Sequence, residues 1–264
     1  MRLSIHHETV YHYDEPLARS MQLLRLTPRA GVGQTVIDWQ ISAPGRLTAG
    51  FDTYDNPQHL LKLEAWNQEI RIVAEGTVET RYVEARPRDK LPPLCFLRDT
   101  PLTECDAALR DFAEGYRQLV TQRGRAALLD LMEDLLDRMP YSPGVTQTET
   151  PAAAAFQLAA GVCQDHAHVF LAACRTLGVP ARYVSGYLLT DHDEHVASHA
   201  WGEAWIEDGW YGFDVSNGCC PDERYVRLAI GLDYLEASPV RGLRQGGGAE
   251  RLESKALVMH ATDQ

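Results

Sequence analysis

A helix followed by a strand can be located after residue 161 from the sequence alone. Apolar residues recur at helical spacing from Ala167 to Leu177, and Gly178 and Pro180 mark the end of the helix. Counting back along this stripe, the helix begins at or near Cys163. Residues 198 to 206 then alternate with a period of two, which predicts a strand.

A hairpin is predicted after this strand, because Asp208-Gly209 is a strong turn signal. A two-residue turn there places Asp214 opposite Glu203. A four-residue loop from residue 206 to 209 places Asp214 opposite Trp201. In both registers Asp214 shares a sheet face with His199, and direct contact between them favours the looser loop or a bulge.

The first 85 or so residues contain short β-rich stretches separated by Pro, Gly, Asn and Asp, which predicts an antiparallel sandwich or barrel-like domain. A proline-rich passage at residues 86–100 marks a boundary, and two amphipathic helical stretches follow it. We therefore divide the chain into a β-rich domain at 1–90 and an α+β core at 91–264 that ends in strands.

The overall charge limits the expected partners. The 264 residues carry a net charge of −12, so neither nucleic acid nor an anionic membrane is expected to bind. The N-terminus lacks the apolar region of a signal peptide, and no apolar run approaches the length of a membrane span. These features predict a cytoplasmic protein.

Cys163 differs from the other five cysteines by its position at a predicted helix start. The free N–H groups and dipole of a helix N-terminus favour a thiolate and can bind a developing oxyanion. Taken alone, Cys163 would more often be a structural thiol. A nucleophile also needs a base and a group that orients the base, and His199 and Asp214 follow in that order on adjoining predicted strands.

The blocks GVCQDHAHVFLAACRTLGVPARYVSGYL and SHAWGEAWIEDGWYGFDVSNG resemble the bacterial members of the transglutaminase-like superfamily. The segment HHETVYHYDEPLARSMQLLRLTPR resembles the β-rich N-terminal region of those proteins, and RLAIGLDYLEASPVRG also resembles the family. The resemblance implies an α+β, papain-like transglutaminase core behind an N-terminal antiparallel β-rich domain. It also implies a Cys163–His199–Asp214 triad that works through a thioester.

Family members include transamidating enzymes, cysteine proteases and amidases, so the implied substrate is a peptide, a protein or a small amide. We expect hydrolysis rather than transamidation, with no cofactor and no metal. A non-catalytic binding module that retains the fold is the alternative. A metal-dependent hydrolase that uses His192 and His195 is a third possibility, although a solvated loop is the simpler interpretation of those residues.

The sequence departs from the family pattern in two places. Residues 213–217 read FDVSN where many relatives read FDPTN, so the loop after Asp214 is expected to differ. Residues 231–234 read GLDY where many read GRDY, so a charge contact of the missing arginine is not carried over.

Other residues near these motifs have two interpretations each. Asp165 either complements the helix dipole or organises the site through a hydrogen bond. A second oxyanion donor is expected, and Tyr141 and Gln157 are weak candidates. His166 and His168 point to different helix faces, which disfavours joint metal binding.

Three further groups have simple structural interpretations. Trp201 and Trp205 are expected to be core residues rather than cleft residues. The pair Cys219-Cys220 is expected to be two free thiols, because strain disfavours a vicinal disulfide. The alternating histidines at 6, 7 and 12 are expected on the surface.

Overall fold

A computed structural model describes residues 1–64, 67–190 and 198–261. The chain forms eleven strands and six α-helices within these ranges. The strands are β1 (Arg2–Leu24), β2 (Gln34–Ser42), β3 (Arg46–Phe51), β4 (Pro57–Leu63), β5 (Asn67–Thr80), β6 (Ala181–Leu188), β7 (Ser198–Ile206), β8 (Gly209–Phe213), β9 (Tyr225–Gly231), β10 (Val240–Gly246) and β11 (Glu250–His260). The helices are α1 (Ala107–Glu114), α2 (Arg117–Arg123), α3 (Arg125–Arg138), α4 (Ala152–Leu158), α5 (Cys163–Thr176) and α6 (Tyr234–Ala237). Short 3-10 helices cover Pro93–Leu97 and Val215–Asn217.

The first sheet is antiparallel and is organised around β1. The N-terminal half of β1 pairs with β5 and β11, and its C-terminal half pairs with β4 and β10. Strands β2 and β3 extend this sheet beyond β5 and β4. The C-terminal strands β10 and β11 therefore complete the sheet that the first 80 residues begin, while the division into domains at residue 90 stays a prediction.

The second sheet has the strand order β8-β7-β6-β9 and is also antiparallel. Helix α5 packs on β7 and β6, and the side chains of Ala181 and Tyr183 join the helical core there. Further along the sheet, Tyr187 and Val226 pack against Leu3 and other apolar residues of the first sheet. Every residue of β6 is buried because helices cover part of the sheet and the first sheet covers another part.

The α+β fold class predicted from the sequence is confirmed, with an N-terminal antiparallel β region and a helix-covered second sheet. Within the described residues, no helix is long and apolar enough to span a membrane.

Candidate active site

Helix α5 begins at Cys163, directly after Val162 and Gly161. The carboxylate of Asp165 fixes this start, because its Oδ2 accepts hydrogen bonds from the Val162 N–H at 2.8 Å and from the Thr146 hydroxyl at 2.6 Å. Asp165 therefore combines both expected roles: it lies in the first turn of the helix, and it binds the loop that precedes α4.

His199 lies near the start of β7. Its Nε2 donates to Oδ2 of Asp214 at 2.6 Å. Cys163 lines the same cavity as His199 and is close enough to the ring to raise its pKa. Because Asp214 occupies Nε2, the nitrogen that remains for Cys163 is Nδ1. The structure thus brings Cys163, His199 and Asp214 together in the predicted order.

The protonation of His199 is controlled by these two neighbours. Burial by itself lowers the pKa of the imidazole, but the hydrogen bonds and negative charges of Asp214 and Cys163 outweigh burial and raise the pKa to about 10. Only 10% of the His199 side chain is exposed, so water screens these charges weakly. The ring is therefore an imidazolium at neutral pH.

Asp214 directly follows β8 and is buried, and three donors converge on its Oδ2. Oδ2 accepts from His199, from the amide of Asn217 at 2.7 Å and from the hydroxyl of Tyr225 at 2.7 Å. Burial alone raises the pKa of this carboxyl group, but the hydrogen bond and charge of His199, with those donors, hold the pKa below its usual value. Asp214 is therefore ionised at neutral pH and can orient the imidazolium.

The observed hairpin has the register of the looser alternative but a tighter turn. Trp205 pairs with Trp210, which places Asp214 in line with Trp201, as the four-residue loop predicted. Ile206, however, pairs with Gly209, and the two turn residues are Glu207 and Asp208, with φ values of 52° and 61°. The prediction of the turn at Asp208-Gly209 was wrong by one residue.

The turn lies one residue earlier than predicted because Gly209 makes a close contact outside the turn. A Cβ on Gly209 would lie 2.9 Å from the Cβ of Ala85, so this glycine provides space for the segment before the proline-rich passage. Glu207 accepts the left-handed conformation, and its carboxylate accepts from the backbone N–H of Arg125, at the first residue of α3. The turn is thereby tied to a helix N-terminus.

The loop after Asp214 differs from the common family pattern but supports the site. Asn217 donates to Asp214, and Ser216 donates to Nδ1 of His166 at 2.8 Å. The other ring nitrogen of His166 donates to the carbonyl of Met139 at 2.7 Å. In the second departure, Leu232 is buried at the position of the missing arginine, and Asp233 caps α6.

Neighbouring histidines of α5 have structural partners. Nε2 of His168 accepts from the backbone N–H of Tyr234 at 3.0 Å, and burial together with the charge of Arg175 lowers the pKa of His168 to about 3. The described residues contain no cluster of three metal-ligating side chains. His192 and His195, the basis of the metal-dependent alternative, lie outside the described residues.

The two candidates for a second oxyanion donor have different surroundings. Gln157 donates its side-chain amide to Asp106, which caps α1, so this amide is engaged away from the thiol. Tyr141 is close enough to Cys163 for the charge of the thiolate, after burial, to contribute to raising the pKa of its hydroxyl. Tyr141 is half exposed and therefore accessible to a bound molecule.

Three other cysteines have partners of their own: the sulfur of Cys105 is hydrogen-bonded to Thr176, that of Cys219 to the hydroxyl of Tyr225 and that of Cys220 to Arg125. All six cysteines are free thiols, including the adjacent pair Cys219 and Cys220. Cys174 is completely buried, and burial raises its pKa well above the ordinary value. Trp201 and Trp205 pack in a cluster with Trp210, as core residues.

A cavity of about 240 Å³ opens beside Cys163 and His199. One of its walls comes from the first sheet, where His7, Thr9 and Tyr11 of β1 and two residues of β11 line it. The expectation that His7 is a surface residue was wrong. It is 3% exposed, because its ring binds the hydroxyls of Tyr187 and Ser254, which are distant in sequence.

Several residues at this site were not among the site residues predicted from the sequence. Tyr225, Ser216 and Asn217 act through contacts with Asp214 or His166, and the β1 residues reach the cavity only because two sheets pack together. Asn217 and Ser216 follow Asp214 closely, so the unusual FDVSN loop was the available indication. Nothing local marks Tyr225 or His7.

Comparisons with known proteins bear on the family of this chain. Residues 110–215 match the transglutaminase-like superfamily, and residues 3–79 match the bacterial transglutaminase-like N-terminal region. An uncharacterized protein of Mycobacterium leprae is 30% identical over 96% of each chain. A protein-glutamine gamma-glutamyltransferase of Pseudomonas aeruginosa is 29% identical over 140 residues, which is 44% of this chain but 20% of that protein.

Among solved structures, a Cytophaga hutchinsonii protein proposed to be a cysteine protease superimposes with a TM-score of 0.76 over 100% of this chain and 92% of its own, at 20% identity. At that identity the likeness supports the fold. The sequence matches, which cover both the β-rich start and the Cys–His–Asp blocks, show that the chain belongs to the transglutaminase-like superfamily and carries the bacterial N-terminal region of that family.

Proposed function

We propose that this protein cleaves a peptide or carboxamide bond by acyl transfer to Cys163, followed by hydrolysis of the thioester. The observation that carries the proposal is the arrangement of His199, which lines one cavity with Cys163 and is hydrogen-bonded at 2.6 Å to the buried carboxylate of Asp214. A thiol beside an oriented imidazolium is the arrangement that nucleophilic cysteine catalysis needs.

In the first half-reaction the Cys163 thiolate attacks the carbonyl carbon, and a C–S bond forms. The helix N-terminus points the Cys163 N–H toward the developing oxyanion. As the C–N bond breaks, the leaving nitrogen takes a proton from the His199 imidazolium, and a thioester remains. Asp214 keeps the ring oriented and charged until that transfer.

In the second half-reaction His199 is neutral and acts as a base. It removes a proton from water, the hydroxide attacks the thioester, and the C–S bond breaks to release the acid and restore the thiolate–imidazolium pair. We take water as the acyl acceptor in this proposal. Transamidation, in which a primary amine replaces water as the acceptor, is the alternative within the same chemistry.

The first sheet has a substrate-shaping role in this proposal, since β1 and β11 line the cavity beside the thiol. We further propose that the protein acts in the cytoplasm, where six free thiols are kept reduced. The contrasting possibility is a binding module that retains the fold without turnover.

The first experiment measures the pH dependence of iodoacetamide labelling at Cys163 by peptide mass spectrometry. Cys95 is exposed and serves as an ordinary thiol in the same sample. We expect Cys163 to react rapidly well below pH 8.5, where an ordinary thiol is slow, and to lose this advantage in His199→Ala. If Cys163 and Cys95 follow the same pH curve, the thiol is not activated and the binding module becomes the better proposal.

A second experiment separates the two acyl acceptors. A library of peptides with glutamine and with cleavable backbone amides is incubated with wild type and with Cys163→Ala, in the presence and absence of a primary amine. Release of acid that the amine does not divert supports hydrolysis. Incorporation of the amine as the main product would contradict it and favour transamidation.

A further inference from the structure

A second cavity, of about 60 Å³, lies away from the thiol, where the first sheet meets the core. It is lined by the turn between β1 and β2, which includes Arg29 and Val32, by the proline-rich segment with Arg86 and Asp89, and by Arg227 of β9. The cavity therefore joins three parts of the chain that are far apart in sequence.

Positive charge exceeds negative charge around this cavity. Glu203 is 2% exposed and accepts from Arg182 at 2.8 Å and from Arg227 at 3.0 Å. Within the described residues, four guanidinium groups meet two carboxylates there: Arg29, Arg86, Arg182 and Arg227 face Glu203 and Asp89. The nearby carboxylate of Asp55 is paired with Lys90.

The guanidinium group of Arg227 has a donor that lacks a hydrogen-bond acceptor. Arg227 is 9% exposed and lines the cavity, and its Nε has no hydrogen-bond acceptor among the described residues. A buried donor without an acceptor is unfavourable, and a buried cation without a counter-ion is more so. Arg227 shares the carboxylate of Glu203 with Arg86 and Arg182, so one negative charge there faces three positive charges.

We propose that this cavity binds a small oxyanion of the size of inorganic phosphate, held by the guanidinium groups of Arg227 and Arg86. Guanidinium groups bind phosphate oxygens through paired, charge-assisted hydrogen bonds, and a buried site strengthens them. The space admits the anionic group and little more. The bound anion links the proline-rich segment to β9 beside the β1–β2 turn, so it stabilises the place where the first sheet meets the core.

The test is thermal unfolding of the full chain in sodium phosphate, compared with sodium chloride at the same ionic strength. We expect phosphate to raise the Tm saturably, by about 3 to 5 °C at a concentration tenfold above its Kd. An equal response to phosphate and chloride would overturn the proposal, because it would show general screening of the charged protein.

Two pairs of variants locate the effect. Arg86→Gln leaves Glu203 bonded to Arg182 and Arg227, and we expect it to weaken phosphate binding about tenfold or more. Arg88→Gln changes an exposed arginine two residues away that does not line the cavity, and phosphate binding should be unchanged. Equal effects of the two variants would overturn the proposal.

The second pair of variants introduces a glutamate carboxylate, in one variant at the cavity and in the other away from it. Val32 lines the cavity and Ile37 does not, yet both side chains are β-branched and 47% exposed. Val32→Glu should raise the Tm in chloride and remove the phosphate response, whereas Ile37→Glu should retain the response. A phosphate response that survives unchanged in Val32→Glu would count against the cavity as the binding site.

Comparison of two Kd values distinguishes a free phosphate ion from the phosphate group of an organic ester. Inorganic phosphate and a phosphomonoester are titrated separately, because both present the same oxygens to the arginines. Equal Kd values support a site for the free anion, and a much lower Kd for the ester supports an organic phosphate. Failure of both to bind would refute the proposal without any bearing on the thiol chemistry.

Discussion

Replacing Asp214 by asparagine separates two roles of this carboxylate: it orients His199, and it supplies a negative charge. Oδ2 of Asp214 accepts from His199, Asn217 and Tyr225, whereas Oδ1 accepts only a longer bond of 3.3 Å from the Asn217 backbone. An asparagine with its oxygen at the Oδ2 position therefore keeps all three short hydrogen bonds and loses the charge together with the long bond from the Asn217 N–H.

The size of the effect follows from the distance. With charge centres about 4 Å apart and an effective dielectric constant of about 20, the attraction is about 4 kcal/mol. This corresponds to about three pH units in the titration of the ring, at 1.36 kcal/mol per unit. Since the His199 pKa is about 10 in the wild type, we expect Asp214→Asn to lower the midpoint by about two to three pH units, with Cys163 still raising it.

The assay is NMR of ¹⁵N-labelled histidine between pH 5 and 11, with His199 assigned by the signal that disappears in His199→Gln. Asp214→Ala is the comparison variant, because it removes the acceptor as well as the charge. An unchanged midpoint in Asp214→Asn would refute the reasoning, since it would mean that the carboxylate charge does not hold the proton on His199.

Stability gives an independent check with a defined sign. The folded-state pKa of His199 is raised from 6.5 to about 10, so its contribution to stability is complete below pH 6.5 and is lost as the pH rises through 10. The folded-state pKa of Asp214 is lowered, so its contribution is present above about pH 4 and is lost in more acidic solution. The stability difference between wild type and Asp214→Asn should therefore be largest between about pH 4 and 6.5 and should shrink toward pH 10.

Urea unfolding tests three further predictions on packing. Gly186→Ala places a methyl group against the carbonyl oxygen of Val226 in β9 and should lower the free energy of unfolding by about 1–3 kcal/mol. Gly50→Ala, whose methyl group meets no atom within 4 Å, should not lower it, and equal effects of the two variants would contradict this. Asp165→Ala removes the acceptor of the Val162 N–H and should cost about 1–2 kcal/mol, and no loss would mean that the helix start is fixed otherwise. Glu203→Ala leaves buried guanidinium groups without their carboxylate and should cost about 3–5 kcal/mol, so a smaller loss would indicate another counter-ion.

Local patterns in the sequence were sufficient to predict the helix and the strands that carry the proposed triad. The apolar stripe placed the start of α5 at Cys163, because helical spacing and the Gly178–Pro180 end leave little freedom. Alternation placed His199 and Asp214 on one sheet face, but it could not choose the register. The register depends on a turn whose glycine serves a contact with Ala85, and that contact is not local.

The long first strand shows why the remaining fold was harder to predict. The sequence reads as two strands separated near Pro16, yet β1 runs from Arg2 to Leu24. The strand continues because its partners change at this point: β5 and β11 pair before it, and β4 and β10 pair after it. Pairing with the C-terminal strands depends on residues more than 200 positions away, which no local pattern encodes.

Because of the same long-range pairing, the role of the first sheet as a wall of the active-site cavity is better tested by a substitution than by a deletion. Deleting residues 1–90 would leave β10 and β11 without the strand that they pair with, so loss of activity in such a deletion would not distinguish misfolding from a missing wall. A substitution at an exposed wall residue avoids this problem. Leu252 of β11 lines the cavity and is 53% exposed, so a larger side chain can be accommodated there.

We expect Leu252→Trp to narrow the entrance of the 240 Å³ cavity without changing the chemistry of the thiol. Labelling of Cys163 by iodoacetamide should keep its rate, because the reagent is small, and labelling by a bulky N-aryl iodoacetamide should slow several-fold. Leu243→Trp, on the neighbouring β10 and 82% exposed, is the matched control, because Leu243 does not line the cavity. Equal slowing of both reagents in Leu252→Trp would show that the thiol itself was disturbed, and equal behaviour of the two variants would show that the first sheet does not restrict access to Cys163.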